Sequence, residues 1–387
     1  MKSVALKIHR RRYAGTAAHE ARVHTLVRGK TGLCREVIEL RETFVFDGHT
    51  CLAFERHGRS LDNILDQRPL APSRVRQVTR QMLRALDRLH GCGYTHTDVK
   101  TANILYEPRS GEARLADLGN ARDRLRQGGQ LGTREYTPPE VLIGTPLQQN
   151  LDLWSLGCSA FEMLTGKPLF VPREAARRKY LEFSSGKDAI AVPLAREALD
   201  DMASEEEEQF SPGAVIAGKY NLRRVLGQGR FGTVWLAKQL TDDPLGYCKT
   251  ARIGKRGISP TASAEIERRQ RERAWRRAKG ANDLLDLALN YEHVLLIARL
   301  CGPFPEVMVK SARYRSSYFE NDGELRFRPR VFRVSLRDRL RRCTSLRSAS
   351  LDLAVDFLTR LLCLDPNVRP TAAVALTHPW LDSTKHP

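Results

Sequence analysis

The distribution of apolar and polar positions marks out most elements of this chain. Val4 to Ile8 is a short apolar run interrupted by Lys7 and predicts a strand. Ala17 to Val27 has helical spacing. Val37 to Leu40, Phe44 to Asp47 and Cys51 to Phe54 form a strand pattern around Asp47-Gly48, a turn signal. Val75 to Leu89 predicts a long amphipathic helix, with Val75, Val78, Met82, Leu83, Leu86 and Leu89 on one face. A polar, motif-dense stretch runs from His96 to Gly144. An apolar helix follows from Asp152 to Leu164 and stops at Gly166.

The pattern changes at about residue 171. Residues 171–218 are polar and include the acidic run Glu205 to Glu208, the composition of a solvated linker. Lys219 to Leu240 reads as strand, glycine-rich turn and strand. Residues 241–289 are polar again, with a very basic helix candidate from Glu265 to Gly280. Helices are predicted at Glu292 to Cys301 and Leu351 to Leu364. No internal repeat is visible.

Composition narrows the class. The chain has 387 residues, a net charge of +19, 41% hydrophobic and 28% charged residues, enough apolar content for a real core. Such charge favours encounters with polyanions but says nothing of the fold. Glu265 to Gly280 carries internal pairs such as Glu265 with Arg269 at helical spacing, and one aromatic, Trp275. It therefore reads as a solvated insert helix in preference to a nucleic-acid surface. The eight cysteines form no C-x-x-C pair, which points to buried thiols in a reducing compartment rather than zinc. No apolar run is long enough to span a bilayer, and the N-terminus has no secretory apolar region. These features predict a cytoplasmic or nuclear protein with no membrane partner.

The stretch HTDVKTANIL places His96, Asp98, Lys100 and Asn103 within eight residues. Phosphoryl transfer to a hydroxyl needs a carboxylate to orient the hydroxyl and receive its proton, a cation near the moving phosphate, and oxygen ligands for magnesium. Asp98, Lys100 and Asn103 match those needs by type and spacing. Asp117, in LADLGNA, supplies a second oxygen ligand for a hard divalent cation.

With these motifs the chain resembles a eukaryotic-type protein kinase, which implies an α+β, two-lobed fold with a small β-rich lobe and a large, mainly helical one. The resemblance implies ATP and magnesium as cofactors. It makes Lys7 the phosphate-binding lysine, held by Glu20, and Phe54 the gatekeeper residue. Glu55 and His57 would meet adenine through the main chain, with Ala5 and Leu105 above and below the ring. Asp98 and Lys100 become the catalytic pair, and Asn103 and Asp117 the metal ligands. GTREYTPPE, from Gly132 to Glu140, resembles the end of an activation segment. Asp152 resembles the aspartate that braces the catalytic loop, and Arg369 the arginine that pairs with Glu140. Lys100 and Thr133 are similar to serine/threonine kinases. HTDVKTANIL, ADLGNA, ARYRSSYFENDGELR and THPWLDS resemble the SR-protein kinase branch, whose substrates are arginine/serine-rich proteins. Thr97 stands where many kinases carry an arginine that receives an activation-loop phosphate; its absence implies activity independent of that phosphate.

The glycine-rich loop arrives out of order. Gly227, Gly229 and Gly232 let main-chain N–H groups approach phosphate, with Leu226 and Val234 over the adenine and Phe231 at the tip. It follows the catalytic loop by more than a hundred residues, yet no second set of catalytic motifs follows it. Residues 1–57 would supply the small lobe from its third strand to the hinge, and 58–170 the first part of the large lobe. Residues 171–289 form an insert carrying the hairpin 219–240, and 290–387 the remainder: one kinase domain in permuted order. Residues 171–218 can extend to about 150 Å, ample for return to the small lobe. Three arrangements stay open: a hairpin docked within a monomer, a hairpin-swapped dimer, or a pseudokinase or scaffold impaired by the displacement.

Overall fold

The computed structural model describes residues 3–32, 34–66, 68–125, 131–171, 210–229, 231–240, 290–326, 334–344, 346 and 348–382. The acidic run at Glu205 and the basic stretch at Glu265 lie outside them. The chain divides into two units. The larger comprises Ser3–Val171, Val225–Leu236 and His293–Pro387. The smaller comprises Met1–Lys2, Pro172–Arg224 and Ala237–Glu292.

In the larger unit, β1 (Ser3–His9) alternates its side chains, with Val4, Leu6 and Ile8 on one face and Ala5, Lys7 and His9 on the other. The helix α1 (Ala14–Thr31) buries Ala17, Glu20, Val23, His24 and Val27, a stripe at helical spacing. Strands β2 (Leu40–Phe46) and β3 (His49–Glu55) are joined at Asp47-Gly48. Both turn residues have positive φ, 46° and 76°, the conformation a two-residue hairpin loop needs. β3 pairs antiparallel with β1, setting Ala5 opposite Phe54 and Lys7 opposite Leu52.

The segment Val37–Leu40, expected as one strand, divides instead. Leu40 opens β2, whereas Val37 makes a lone parallel bridge to Leu115 and the Ile38 N–H donates to the Leu115 carbonyl at 2.9 Å. Its main chain is thereby tied to a second, three-stranded sheet of β4 (Arg59–Ser60), β5 (Ile104–Glu107) and β6 (Glu112–Leu115). A short helix α2 (Leu61–Leu65) follows β4. The amphipathic helix α3 (Pro72–Gly91) buries all six predicted apolar residues, with a proline in its first turn, where the lost N–H costs nothing. After α4 (Pro139–Ile143), helix α5 (Leu151–Thr165) is buried on every side and ends at Gly166 in the left-handed conformation. No helix among the described residues is long and apolar enough to cross a membrane.

In the smaller unit, β7 (Val215–Ile216) pairs antiparallel with the start of β8 (Tyr220–Gly229), Ile216 lying opposite Tyr220. The return strand is β9 (Gly232–Gln239). Residues Val225–Leu236 of this hairpin belong to the larger unit, where the strand order is β2-β3-β1-β9-β8. A β-carbon at Gly232 would collide with the Ile8 carbonyl, so only glycine permits this approach of β9 to β1. The Arg10 N–H donates to the Phe231 carbonyl at 2.9 Å, and the Phe231 ring packs edge-on against Tyr13 at 5.3 Å.

Residues 293–301 are helical, as predicted. The helix expected over Leu351 to Leu364 spans Ser348–Leu361. It stops early because the Cys363 and Leu364 carbonyls turn to the Arg369 guanidinium, at 2.9 to 3.4 Å. Arg369 and Glu140 form a bidentate pair at 2.6 and 2.9 Å, both side chains wholly buried. This joins the end of the chain to α4. A buried ion pair need not outperform an apolar pair, but removing one partner leaves a charge without compensation. Arg369→Met is therefore expected to lower the unfolding free energy by about 3–5 kcal/mol, measured by urea denaturation; a loss under about 1 kcal/mol would show that the pair is solvated or relaxes.

Candidate active site

The centre of the site is a chain of opposite charges on three elements. Lys7 Nζ on β1 lies 2.7 Å from Glu20 Oε2 on α1 and 2.9 Å from Asp117 Oδ1 after β6. Burial acts to lower the Lys7 pKa, but the Asp117 and Glu20 carboxylates more than offset it and hold the ammonium charged. Burial likewise pushes Glu20 and Asp117 up, and the nearby Lys7 charge brings both below the ordinary carboxylate range. Three groups that would each be costly to bury alone stay ionised together.

Two histidines that the motif analysis passed over stand behind this ion pair. His9, two residues after Lys7 on the same strand face, is fully buried with Nε2 3.4 Å from Glu20 Oε2. His24, four residues after Glu20 on α1, stacks in a tilted arrangement on Phe54 at 5.3 Å, and its Nε2 has no hydrogen-bond partner. Period-two and i,i+4 spacing from Lys7 and Glu20 would have found both.

The catalytic-loop candidates converge on a second centre. Thr133 Oγ donates to Asp98 Oδ1 at 2.7 Å and accepts from Lys100 Nζ at 2.6 Å, while Lys100 lies 3.0 Å from Asp98 Oδ2. An alcohol hydroxyl thus sits between a carboxylate and an ammonium. Asn103 Nδ2 donates to the Asp98 carbonyl at 2.8 Å and, more weakly, to its carboxylate at 3.3 Å. The Ala116 N–H donates to the Asn103 carbonyl at 2.9 Å, which sets Asn103 beside Asp117. Asp117 is left-handed at φ 62°.

Asp152, wholly buried at the start of α5, holds the loop. Its Oδ2 accepts from the His96 N–H and its Oδ1 from the Thr97 N–H, each at 2.8 Å, and His90 Nε2 lies 2.8 Å from Oδ2. Thr97 has φ 68°, a conformation that costs a β-branched residue about 1–3 kcal/mol. Asp152 and the Asn120 carbonyl, which accepts from Thr97 Oγ at 2.9 Å, keep it there. The Asp98 N–H donates to His96 Nδ1 at 3.2 Å, so Nε2 carries the ring proton and donates to the Ala116 carbonyl at 3.1 Å.

The adenine-side candidates also assemble. Phe54, Leu52 and Ile38 form a buried cluster against which the half-buried Ala5 and Leu105 pack. The Glu55 N–H already donates to the Glu39 carbonyl at 3.0 Å, so a main-chain contact from Glu55 to a base falls to its carbonyl alone. Its side chain pairs with Arg114. His57 Nε2 lies 3.3 Å from the Glu112 carbonyl. Leu226, Gly227 and Gly229 are exposed and Val234 is half-buried. A β-carbon at Gly227 would meet nothing within 4 Å, so its space stands open where that of Gly232 is filled by β1.

A further carboxylate escaped the motif search. Glu162 Oε2 on α5 accepts from Tyr136 Oη at 2.6 Å and Thr101 Oγ at 3.2 Å. Burial raises its pKa, and the Asp62 and Glu135 charges add to the rise against those two bonds.

The described residues hold no group of three or more histidine, cysteine or acidic side chains that could cage a metal. Asn103 and Asp117 offer one amide and one carboxylate oxygen. That sparse donor set suits magnesium, which keeps several waters and completes its shell with substrate phosphates.

With this geometry in view, the protein kinase domain model matches residues 1–214. The chain belongs to the protein kinase family and has its β-rich and mainly helical lobes. It is similar to cyclin-dependent kinase 20 of Rattus norvegicus, 37% identical over 142 residues, covering 35% of this chain and 41% of that protein. It is also similar to dual specificity tyrosine-phosphorylation-regulated kinase 3 of Homo sapiens, 32% identical over 176 residues, covering 43% and 30%. Serine/threonine-protein kinase prp4 of Schizosaccharomyces pombe is 33% identical over 145 residues, covering 36% and 30%. The chain spans less than half the length of each of these relatives. The family match ends before the glycine-rich hairpin.

The buried imidazole behind the ion pair has a consequence for pH. Burial holds His24 down to about 4, with the Lys7 charge acting the same way against Glu20 and Asp117. An imidazole in the unfolded chain protonates near about 6.5, so between these values the unfolded state binds more protons. Stability is full above that window and is lost as pH falls through it, by about 3 kcal/mol from this residue. His24→Leu is expected to flatten the acid limb of stability against pH in urea melts at a series of pH values. An unchanged slope would place the titration elsewhere, His293 being buried and depressed in the same direction.

Proposed function

We propose that this chain transfers the terminal phosphoryl group of ATP to serine or threonine hydroxyls of proteins. The observation that carries the reading is the seat occupied by Thr133 Oγ, between Asp98 and Lys100 at 2.7 and 2.6 Å. A substrate hydroxyl placed there would pass its proton to Asp98 as its oxygen bonds to phosphorus and the bond from phosphorus to the departing ADP oxygen breaks. Lys100 would offset charge on the transferred group. Lys7 would hold the nucleotide phosphates, kept in place by Glu20. Asn103 and Asp117 would hold magnesium, which when bound neutralises charge between the phosphates. Ala5, Leu105 and the Glu55 carbonyl would receive the adenine.

In this reading the glycine-rich hairpin serves as the lid of the same site, docked within one chain. The strand order, the Arg10–Phe231 bond and the close approach of Gly232 to Ile8 support it. Residues 1–387 then act as one kinase domain in permuted order. An arginine-containing acceptor peptide is favoured by the acidic neighbourhood of Glu162, Asp62 and Glu135.

Three measurements test this. Asp98→Ala is expected to abolish transfer from radiolabelled ATP to a peptide library, a loss of at least about a hundredfold, while nucleotide affinity stays near wild type. Comparable turnover would remove Asp98 as proton acceptor. Deleting residues 219–240 should weaken ATP binding and lower solubility by exposing the edge of β1. If neither changes, the hairpin is not the lid. Activity recovered by mixing a glycine-loop variant with the Asp98 variant would mean that the loop is shared between two chains.

A further inference from the structure

A groove of about 600 Å³ opens beside α3, the β5–β6 hairpin and the segment at Arg35, away from the residues assigned above to phosphoryl transfer. Six arginines line it: Arg35, Arg74, Arg76, Arg80, Arg84 and Arg114, against two carboxylates, Glu36 and Glu112. The two groove carboxylates do not neutralise Arg35, Arg74 and Arg80. Arg114 is committed to Glu55, and the exposed Arg84 reaches Glu36 only at 4.0 Å. Arg74 donates to the neutral Gln77 amide at 2.9 Å. Arg35, Arg74 and Arg80 have no carboxylate within ion-pair distance among the described residues.

The arrangement carries a cost that the fold alone does not explain. Arg76, Arg80 and Arg84 recur at i, i+4 and i+8, so like charges face each other along one side of α3, an unfavourable spacing. Arg76 is only 6% exposed. Burial, followed by the Arg80 charge, holds its pKa below the ordinary guanidinium value. Gln77 and Gln81 on the same helix serve a structural purpose: Gln81 accepts from the Ala113 N–H at 2.6 Å and donates to the Gly111 carbonyl at 3.0 Å, clamping the β5–β6 turn. Arg80, between them, makes no comparable clamp. At a rise of about 1.5 Å per residue, Arg76 to Arg84 spans about 12 Å, the reach of about four residues of an extended peptide.

We propose that this groove is a docking site for an acidic peptide segment bearing a phosphorylated side chain. A phosphate brings about two negative charges and three acceptor oxygens, the chemistry guanidinium forks bind in bidentate fashion. Among the described residues no aromatic side chain lines the groove, so nucleotide bases would find no stacking platform in it. Docking needs only the arginines and is independent of whether this chain catalyses transfer.

The test uses the full chain and a fluorescent peptide with one phosphoserine flanked by glutamates, followed by anisotropy. The phosphorylated peptide should bind about tenfold more tightly than its unphosphorylated form. Arg35→Gln with Arg80→Gln should weaken binding by about tenfold. The control pair Arg341→Gln with Arg342→Gln, equal in charge and exposed on the helix Leu336–Cys343, should change it by less than about twofold. Circular dichroism checks that each variant is folded; should the double variant unfold, the exposed Arg35→Gln alone should still lose affinity. No binding, or an equal loss in the control pair, overturns the proposal in favour of bulk charge. Displacement by an oligouridylate that itself requires Arg35 and Arg80 overturns it in favour of a nucleic-acid groove.

Discussion

The buried carboxylate of Asp152 is the constraint on which the candidate active site rests. It sits at the start of α5, a helix with no exposed face, so its position is set by the core of the helical lobe. From there it binds two successive main-chain N–H groups and keeps Thr97 in a left-handed conformation that a threonine would otherwise avoid. That bend aims His96 at the Ala116 carbonyl and brings Asp98 against Lys100 and Thr133. The positions of the acceptor-side carboxylate and of the segment entering Asp117 thus both trace to one helix terminus. A site built on rigid elements can hold its groups to fractions of an ångström.

The other half of the site depends on the sheet. Lys7 is useful only if its ammonium remains charged while buried, and the two flanking carboxylates secure that. Glu20 and Asp117 come from a helix and a loop that share no local contact in sequence, so the triad exists only when α1, β1 and the end of β6 are assembled. His9 and His24 fill the space behind it as poorly bonded buried imidazoles. Both add bulk behind the ion pair, and His24 becomes a liability in acid. The hairpin β8–β9 approaches β1 by its glycine at 232, where main chain meets main chain.

Much of the architecture was legible because its signals are local and periodic. The stripe on α3, the Asp47-Gly48 turn and the glycine stop after α5 each rest on a spacing or a backbone preference carried by a few adjacent residues. The catalytic-loop candidates were legible for a related reason: four chemically distinct side chains at fixed spacing are rare outside that chemistry. Signals of this kind failed where tertiary contacts competed. Val37 has the look of a strand residue but is tied to Leu115 across the chain, and the helix at Leu361 stops for the sake of Arg369.

By itself, then, the sequence determined the longer strands and helices, and which residues could supply acid, base, cation and oxygen ligands, since those properties reside in side-chain chemistry and short-range period. Only the tertiary structure decided that Lys7 stands between Glu20 and Asp117, that Thr133 occupies the seat between Asp98 and Lys100, that Glu162 joins Tyr136 and Thr101, and that six arginines from separate segments line one groove. Each of these depends on distances between residues far apart in the chain. Such distances are set by how the buried faces of α1, α3 and α5 and the two sheets pack, and no local pattern encodes them.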